Sequence, residues 1–274
     1  MTRAPIVAAI DGSDSARQAV LWAAQEATRR GIGLTIVHVA PDLAAALAQG
    51  RSWLDETSAA ARRAAPTVTT SAEMMSGSVV ETLTAVSTWA DTVVLGTRGI
   101  GGFTGLLAGS VAIGVSTRAR CPVVVVRAPA PASGPIVVGV DGGSAEEATE
   151  WAFTEAALRD APLIAVHTWT EGALSRGWDT VPYVVDFQAL NDSMRGMLSD
   201  RVAPWREKFP SVRLDLVTAL DNPARALVDQ SRHAQLVVVG TRRHRPLAGA
   251  LLGSTSHALL HHAACPVVVV HADS

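Results

Sequence analysis

The chain has 274 residues, 48% of them hydrophobic and 18% charged, with a formal net charge of -2. That length suits one large domain or two of ordinary size, and the apolar content is enough for real cores. The charge balance gives no global basic field for nucleic acid, and apolar runs of four or five residues are far too short to span a membrane.

The first apolar run, IVAAI at 6–10, reads as a strand ending in Asp11-Gly12. It begins almost at once, with no charged segment leading into a long apolar one, so no signal peptide and a cytoplasmic location are expected. Ala16, Ala19, Val20, Ala23, Ala24 and Ala27 then recur at helical spacing. A second strand, 34–38, ends in His38; Val79, Val80, Leu83, Val86, Ser87 and Ala90 form another helix face. A third apolar run at 92–95 leads into GTRGIGGFTGLLAGS at 96–110, followed by the helical pattern Val111, Ala112, Val115, Ala119. Glycines at a strand's carboxyl end let backbone approach a ligand, and a helix start favours an anion. Gly96, Gly99 and Gly109-Ser110 thus outline a main-chain phosphate cradle. The alternative is a flexible loop with Ser110 as an ordinary helix cap. The half closes on Cys121-Pro122 and four valines.

The same features then return in order. Residues 6–12 recur at 136–142, 34–38 at 163–167, 92–98 at 236–242, Gly109-Ser110 at Gly253-Ser254, and 121–126 at 265–270. Five ordered matches at this period indicate two tandem domains, residues 1–128 and 135–274, joined by a Pro- and Ala-rich linker at 129–134. The span from His167 to Gly253 exceeds that from His38 to Gly109 by 15 residues, near 169–197. A longer loop and second helix are expected there, with Trp178 and Tyr183 as packing or partner-binding aromatics. Helices alternating with short, continuously apolar β-branched strands specify an α/β fold: open parallel sheets covered on both faces. Cys121 and Cys265 occupy equivalent positions and read as buried small side chains, not a disulfide.

An Asp ending the first strand, a strand ending His-Val, Gly-x2-Gly-x9-Gly-Ser, and a closing Cys-Pro-Val strand together resemble the universal stress protein family, in its tandem two-domain form. The resemblance implies a five-stranded parallel sheet with flanking helices in each half. It implies ATP binding where the glycine pattern is complete. It also implies pairing of the last strands, 123–126 with 267–270, which would hide two edges and make the chain a pseudo-dimer. Carried over by position, Asp11 would face the ribose and phosphates or a metal near them, reaching Mg through the nucleotide, while Ala9 and Ile10 would line the entry and Gly12 would join the site. Val39 would meet adenine, and Gly96, Arg98, Gly99, Gly109, Ser110 and Val111 would cradle the triphosphate. Asp11 also has a plain reading as a cap for the helix that follows. The second-half set is Gly139, Asp141, Gly142, Thr168, Gly240, Arg242, Gly253, Ser254 and Thr255. Arg243 replaces the middle glycine there, at a cost of about 1 kcal/mol if positive φ is needed. Weaker or altered binding is expected at that site.

Other residues have plainer readings. His38 and His167 read as buried histidines with backbone partners, and Trp22 and Trp151 as core. His257 and His261, four apart with His262 adjacent, could hold a metal or simply face solvent. No Gly-Lys-Ser/Thr phosphate loop, nucleophile elbow or paired-carboxylate spacing is present, so efficient turnover is not expected. The expected role is a regulatory ATP-binding protein, forming a homodimer of tandem chains and read by an unidentified protein partner, without nucleic acid or membrane. The alternatives are a ligand-free interaction scaffold and a slow ATPase or phosphoryl- or adenylyl-transfer enzyme.

Overall fold

β-Branched runs bounded by turn formers become strands, and the alanine-rich faces between them become helices. The computed structural model describes residues 3–40, 43–97, 108–127, 131, 133–141, 146–169, 187–242 and 252–272, without the side chains of 43–47 and 242. The first half runs β1 (Ile6–Ile10), α1 (Asp14–Arg30), β2 (Leu34–Ala40), α2 (Leu43–Ala64), β3 (Thr70–Ser76), α3 (Val79–Val86), β4 (Thr92–Gly96), α4 (Ser110–Arg118) and β5 (Val123–Val126). The second repeats it: β6 (Ile136–Gly139), α5 (Glu146–Arg159), β7 (Leu163–Trp169), α6 (Phe187–Lys208), β8 (Leu214–Leu220), α7 (Pro223–Gln230), β9 (Leu236–Arg242), α8 (Ser254–His262) and β10 (Val267–Ala272).

The strands form one sheet in the order β3-β2-β1-β4-β5-β10-β9-β6-β7-β8. Neighbours within each half are parallel, while β5 and β10 meet antiparallel with Val124 opposite Val268. The two five-stranded sheets are therefore joined through their last strands, and both of those edges are used up. Strand order reverses between β1 and β4 and between β6 and β9, the crevice where open α/β sheets take ligands.

Both faces of the sheet are covered. Ile6, Ala8, Val124 and Val268 pack on one face with residues of α1 and α5; Val7, Val123, Val125 and Val269 pack on the other with residues of α4 and α8. Burial on both sides explains why these strands are continuously apolar instead of alternating. Cys121 and Cys265 are free and buried, and burial pushes each thiol up to about 12. The insertion lies within the expected stretch, but the second helix is not lengthened by it. Helices α2 and α6 both have 22 residues. The β2–α2 connection is only 41–42, whereas β7–α6 takes 170–186. The extra length is thus all in the connection, and Trp178 and Tyr183 lie outside the described residues.

Two sets of reciprocal contacts clamp the halves together. Arg127, just after β5, donates to the Leu260 carbonyl at 2.6 Å; its counterpart His271 on β10 places Nε2 2.9 Å from the Ser116 carbonyl on α4. On the opposite face α1 meets α5 through a ring of alternating charge. Arg30 bonds Glu26 (2.8 Å) on its own helix and Glu155 across the interface. Arg159 bonds Glu155 (2.8 Å) and, across, Glu26 (2.6 Å). Side-chain exposure is 1% for Glu26, 0% for Glu155, 5% for Arg159 and 14% for Arg30. Each guanidinium also lies over the other half's tryptophan, Arg30 over Trp151 at 5.1 Å and Arg159 over Trp22 at 5.7 Å. Trp22 and Trp151 are therefore half-buried interface residues as well as core.

Candidate functional site

The candidate site is built where strand ends and helix starts converge. In the first half Ala9 and Ile10 end β1, Val39 is buried near the end of β2, and Gly96 ends β4. Helix α1 begins close by. Its N-cap is Ser13, whose Oγ accepts from the Ala16 amide at 3.2 Å. Asp11 stands one step back: its Oδ1 accepts from the Ser13 amide (3.0 Å) and hydroxyl (2.6 Å). The cap reading therefore passes from Asp11 to Ser13, and the Asp11 carboxylate supports that cap. Gly96 has a packing reason for being glycine, because a Cβ there would lie 2.6 Å from Ser15 Oγ and 2.7 Å from the Ala16 nitrogen.

Helix α4 starts at Ser110, with Gly109 as its N-cap, so the reading of Ser110 as cap is corrected. A glycine cap carries no side-chain acceptor, and the first amides of α4 receive no side-chain cap bond. Gly109 itself donates to the Thr97 carbonyl at 2.7 Å, which ties the helix start to the end of β4. That amide is spent within its own loop, leaving the cradle to the amides beyond it. Arg98 and Gly99 lie outside the described residues, as do Gly142 and Arg243; Arg242 ends β9, without a described side chain.

The second half repeats the geometry. Helix α8 is capped by Gly253, again without a side-chain bond, and a Cβ at Gly253 would meet nothing within 4 Å. Ser254 and Thr255 open the helix. A cavity of about 340 Å³ lies at the carboxyl ends of β6, β7 and β9, lined by Gly139, Asp141, His167, Thr168 and Gly240, with Thr255 at the α8 start and Leu227 at its base. Five of the second-half residues expected from the sequence thus line one cavity. Gly139 also makes room for packing, since a Cβ there would sit 2.9 Å from Leu227 Cδ1. Asp141 is tied to α6, its carbonyl accepting from Arg201 Nη1 at 3.1 Å.

His38 and His167 take equivalent roles. Nδ1 of His38 is 2.9 Å from the Ile10 carbonyl, and Nδ1 of His167 is 2.8 Å from the Val140 carbonyl. Each lashes the second strand of its half to the first through the expected backbone partner; His38 is buried as expected, whereas His167 is only half-buried. On α8 the His257 and His261 rings meet tilted by 40° with centroids 4.5 Å apart, and burial, with the neighbouring His257, His262 and Arg127, holds His261 below its usual range. No group of three or more metal-ligating side chains is found among the described residues, and none of their helices is long and apolar enough to cross a membrane.

The sequence reading missed three features. Trp53 on α2 packs against the β1–α1 turn, Arg201 reaches the equivalent turn of the second half, and the four-charge ring joins the halves. Only the ring left a signal: Glu26 and Arg30 repeat as Glu155 and Arg159, each four apart, alongside Trp22 and Trp151.

A family model described as the universal stress protein family matches residues 2–127 and again 133–271. Two universal stress proteins of Mycobacterium tuberculosis are 38% and 36% identical over 289 and 287 residues, covering 96% of this chain and 95% and 96% of their own lengths. The fold matches the crystal structure of a universal stress protein from Archaeoglobus fulgidus, with a TM-score of 0.66 at 17% identity over 97% of this chain and 98% of that one. With both halves matched and relatives aligned nearly end to end, the chain belongs to the universal stress protein family.

Proposed function

We propose that this chain is a regulatory ATP-binding protein that holds nucleotide by main-chain amides at the carboxyl ends of its strands. The observation that carries the reading is the second-half cavity of about 340 Å³. Residues that the family resemblance implied, Gly139, Asp141, Thr168, Gly240 and Thr255, line it together, and the start of α8, which has no side-chain cap bond, opens onto it. That volume lies within the range of about 300–1,000 Å³ of small-molecule sites. Free amides at a helix start suit a phosphate, and the open space at Gly253 admits one.

In the first half the amides of Ser110 and Val111, with Gly96, Arg98 and Gly99, would take the phosphates. Ala9, Ile10, Gly12 and Val39 would border the nucleoside, and Asp11 would reach Mg through it. In the second half the amides of Ser254 and Thr255 and the polar groups of Asp141 and Thr168 do the equivalent work, with Arg242 and Arg243 near the phosphates. ATP supplies the charged group whose presence a partner protein reads. Among the described residues no side chain stands in place to orient an attacking water, in keeping with a reading in which hydrolysis is slow or absent. A homodimer of tandem chains in the cytoplasm, built from units 1–128 and 135–274, belongs to the same reading.

The ligand-free scaffold is favoured by one observation, the Gly109 amide already bonded to Thr97. Mass spectrometry of ligand co-purified with the gently prepared native protein, with stoichiometry per chain, decides between them. Adenine nucleotide should be found, and Gly99→Glu should remove the first-half share by placing an anionic side chain in the cradle. Protein that carries no nucleotide and binds none in calorimetric titration would leave only the scaffold.

A further inference from the structure

We infer that Trp53 is a positioning residue for the first-half nucleotide site, an inference that rests on the reading just given. The side chain belongs to α2, on the other face of the sheet from α4, yet it touches both strand ends between which the nucleoside would lie. One contact is with the β1–α1 turn. Gly12 has φ +86, a conformation that favours glycine, and a Cβ there would lie 2.6 Å from Trp53 Cζ2 and 2.7 Å from Nε1. The indole therefore occupies the space that any other residue at position 12 would fill.

The second contact is with His38. The His38 and Trp53 rings meet edge to face at 5.4 Å. Helix α2 comes close enough to allow this because position 50 is glycine: a Cβ there would be 2.6 Å from His38 Cδ2. His38 in turn holds the Ile10 carbonyl through Nδ1. Trp53, His38, Ile10 and Gly12 form a closed circuit around the backbone that presents Asp11 on one side and Val39 on the other. Beyond the turn, Trp53 borders an open groove of about 440 Å³ between α1 and α2, with Arg17 and Arg63 on its rim. A shift of the turn on binding is therefore free to move the indole.

The second half is built differently, which supplies an internal control. Aligning α2 with α6 from their first residues places Met197 opposite Trp53 and Arg201 opposite Thr57. Met197 is exposed, and the turn is held by Arg201 on the Asp141 carbonyl. Losing Trp53 should therefore loosen one site and spare the other.

The test is ATP titration of the full chain by calorimetry, with tryptophan emission followed in parallel. Trp53→Ala should weaken the binding that Gly99→Glu removes by about tenfold, the equivalent of roughly 1.4 kcal/mol of lost preorganisation, and leave the remaining site within about twofold. Gly12→Ala should do the same from the other side of the contact. Trp53→Phe, which keeps a ring against His38, should retain most of the affinity and lose the ATP-dependent part of the emission. Unchanged first-half affinity in Trp53→Ala, equal loss at both sites, or an emission response that Gly99→Glu removes but Trp53→Phe keeps would each overturn the inference while leaving ATP binding intact. Wild-type protein that binds no nucleotide would overturn the underlying reading as well.

Discussion

Replacing Glu155 by Gln tests whether the charge ring between α1 and α5 stores a proton. Burial and the adjacent Glu26 carboxylate push the Glu155 carboxyl from 4.5 up to about 7, against the pull of Arg30 and Arg159. Burial also raises Glu26, but Arg159, the hydrogen bond with Glu155, and Arg30 outweigh it and hold Glu26 below its usual range. Arg29 and Asp91 complete the charged surroundings, bonded to Glu26 and Arg30 at 3.3 and 3.5 Å. Between pH 4.5 and 7 the native chain then binds more protons at Glu155 than the unfolded chain, so stability from this group falls as pH rises. A tenfold change in proton affinity is worth about 1.4 kcal/mol, so the whole window is worth about 3 kcal/mol. Glu26 acts lower, its contribution present above 4.5 and lost as pH falls through its depressed value. Gln at position 155 mimics the protonated acid and does not titrate. Urea unfolding of both proteins from pH 4.5 to 8 should show Glu155→Gln gaining about 3 kcal/mol on wild type as pH rises. Titrating groups common to both cancel in that difference. Parallel stability curves would show that both carboxylates stay ionised in the ring.

Two further outcomes follow from burial. Cys121 and Cys265, both pushed up to about 12, should resist iodoacetamide at pH 8 in the native protein and react in urea at the same pH; native labelling at the rate of a free thiol would refute their inertness. Phe153, fully buried and stacked on Phe209 at 5.9 Å, should cost about 3–5 kcal/mol in urea unfolding when replaced by Ala, whereas Trp89→Ala at an exposed position should cost under about 1 kcal/mol.

The sequence disclosed what local pattern and repetition control. The valine runs at 123–126 and 267–270 foretold both strands and their antiparallel union, because two apolar edges must be hidden somewhere. It did not disclose β3 or β8. TSAEMMS and LDLVTAL carry no uninterrupted apolar run, since each strand forms an outer edge and is buried less than its neighbours. At the site, the residues that the family resemblance carried over to the second half, Gly139, Asp141, Thr168, Gly240 and Thr255, line one cavity, because the repeat places them at strand ends and a helix start. The cap alternatives that the sequence offered for α1 and α4 fell on neighbouring residues. Asp11 and Ser13, like Ser110 and Gly109, are neighbouring polar or small residues, and only the backbone path decides which holds the cap. Trp53 and Arg201 were out of reach for another reason: their partners lie on other elements of the fold, and the repeated Glu-x3-Arg of Glu26, Arg30, Glu155 and Arg159 did not show that the pairs meet across the halves.

Carrying both partners on one polypeptide frees the interface from having to match itself. In a dimer of identical subunits every substitution arrives twice, and each must suit both ends of the two-fold axis. Here Arg127 and His271 perform the same reach into the opposite helix with different chemistry, one through a guanidinium and one through an imidazole ring. The same licence extends to the two crevices, where Ala9 faces Gly139 and Val39 faces Thr168 across the repeat. Fusion lets one chain keep two related crevices and tune each alone.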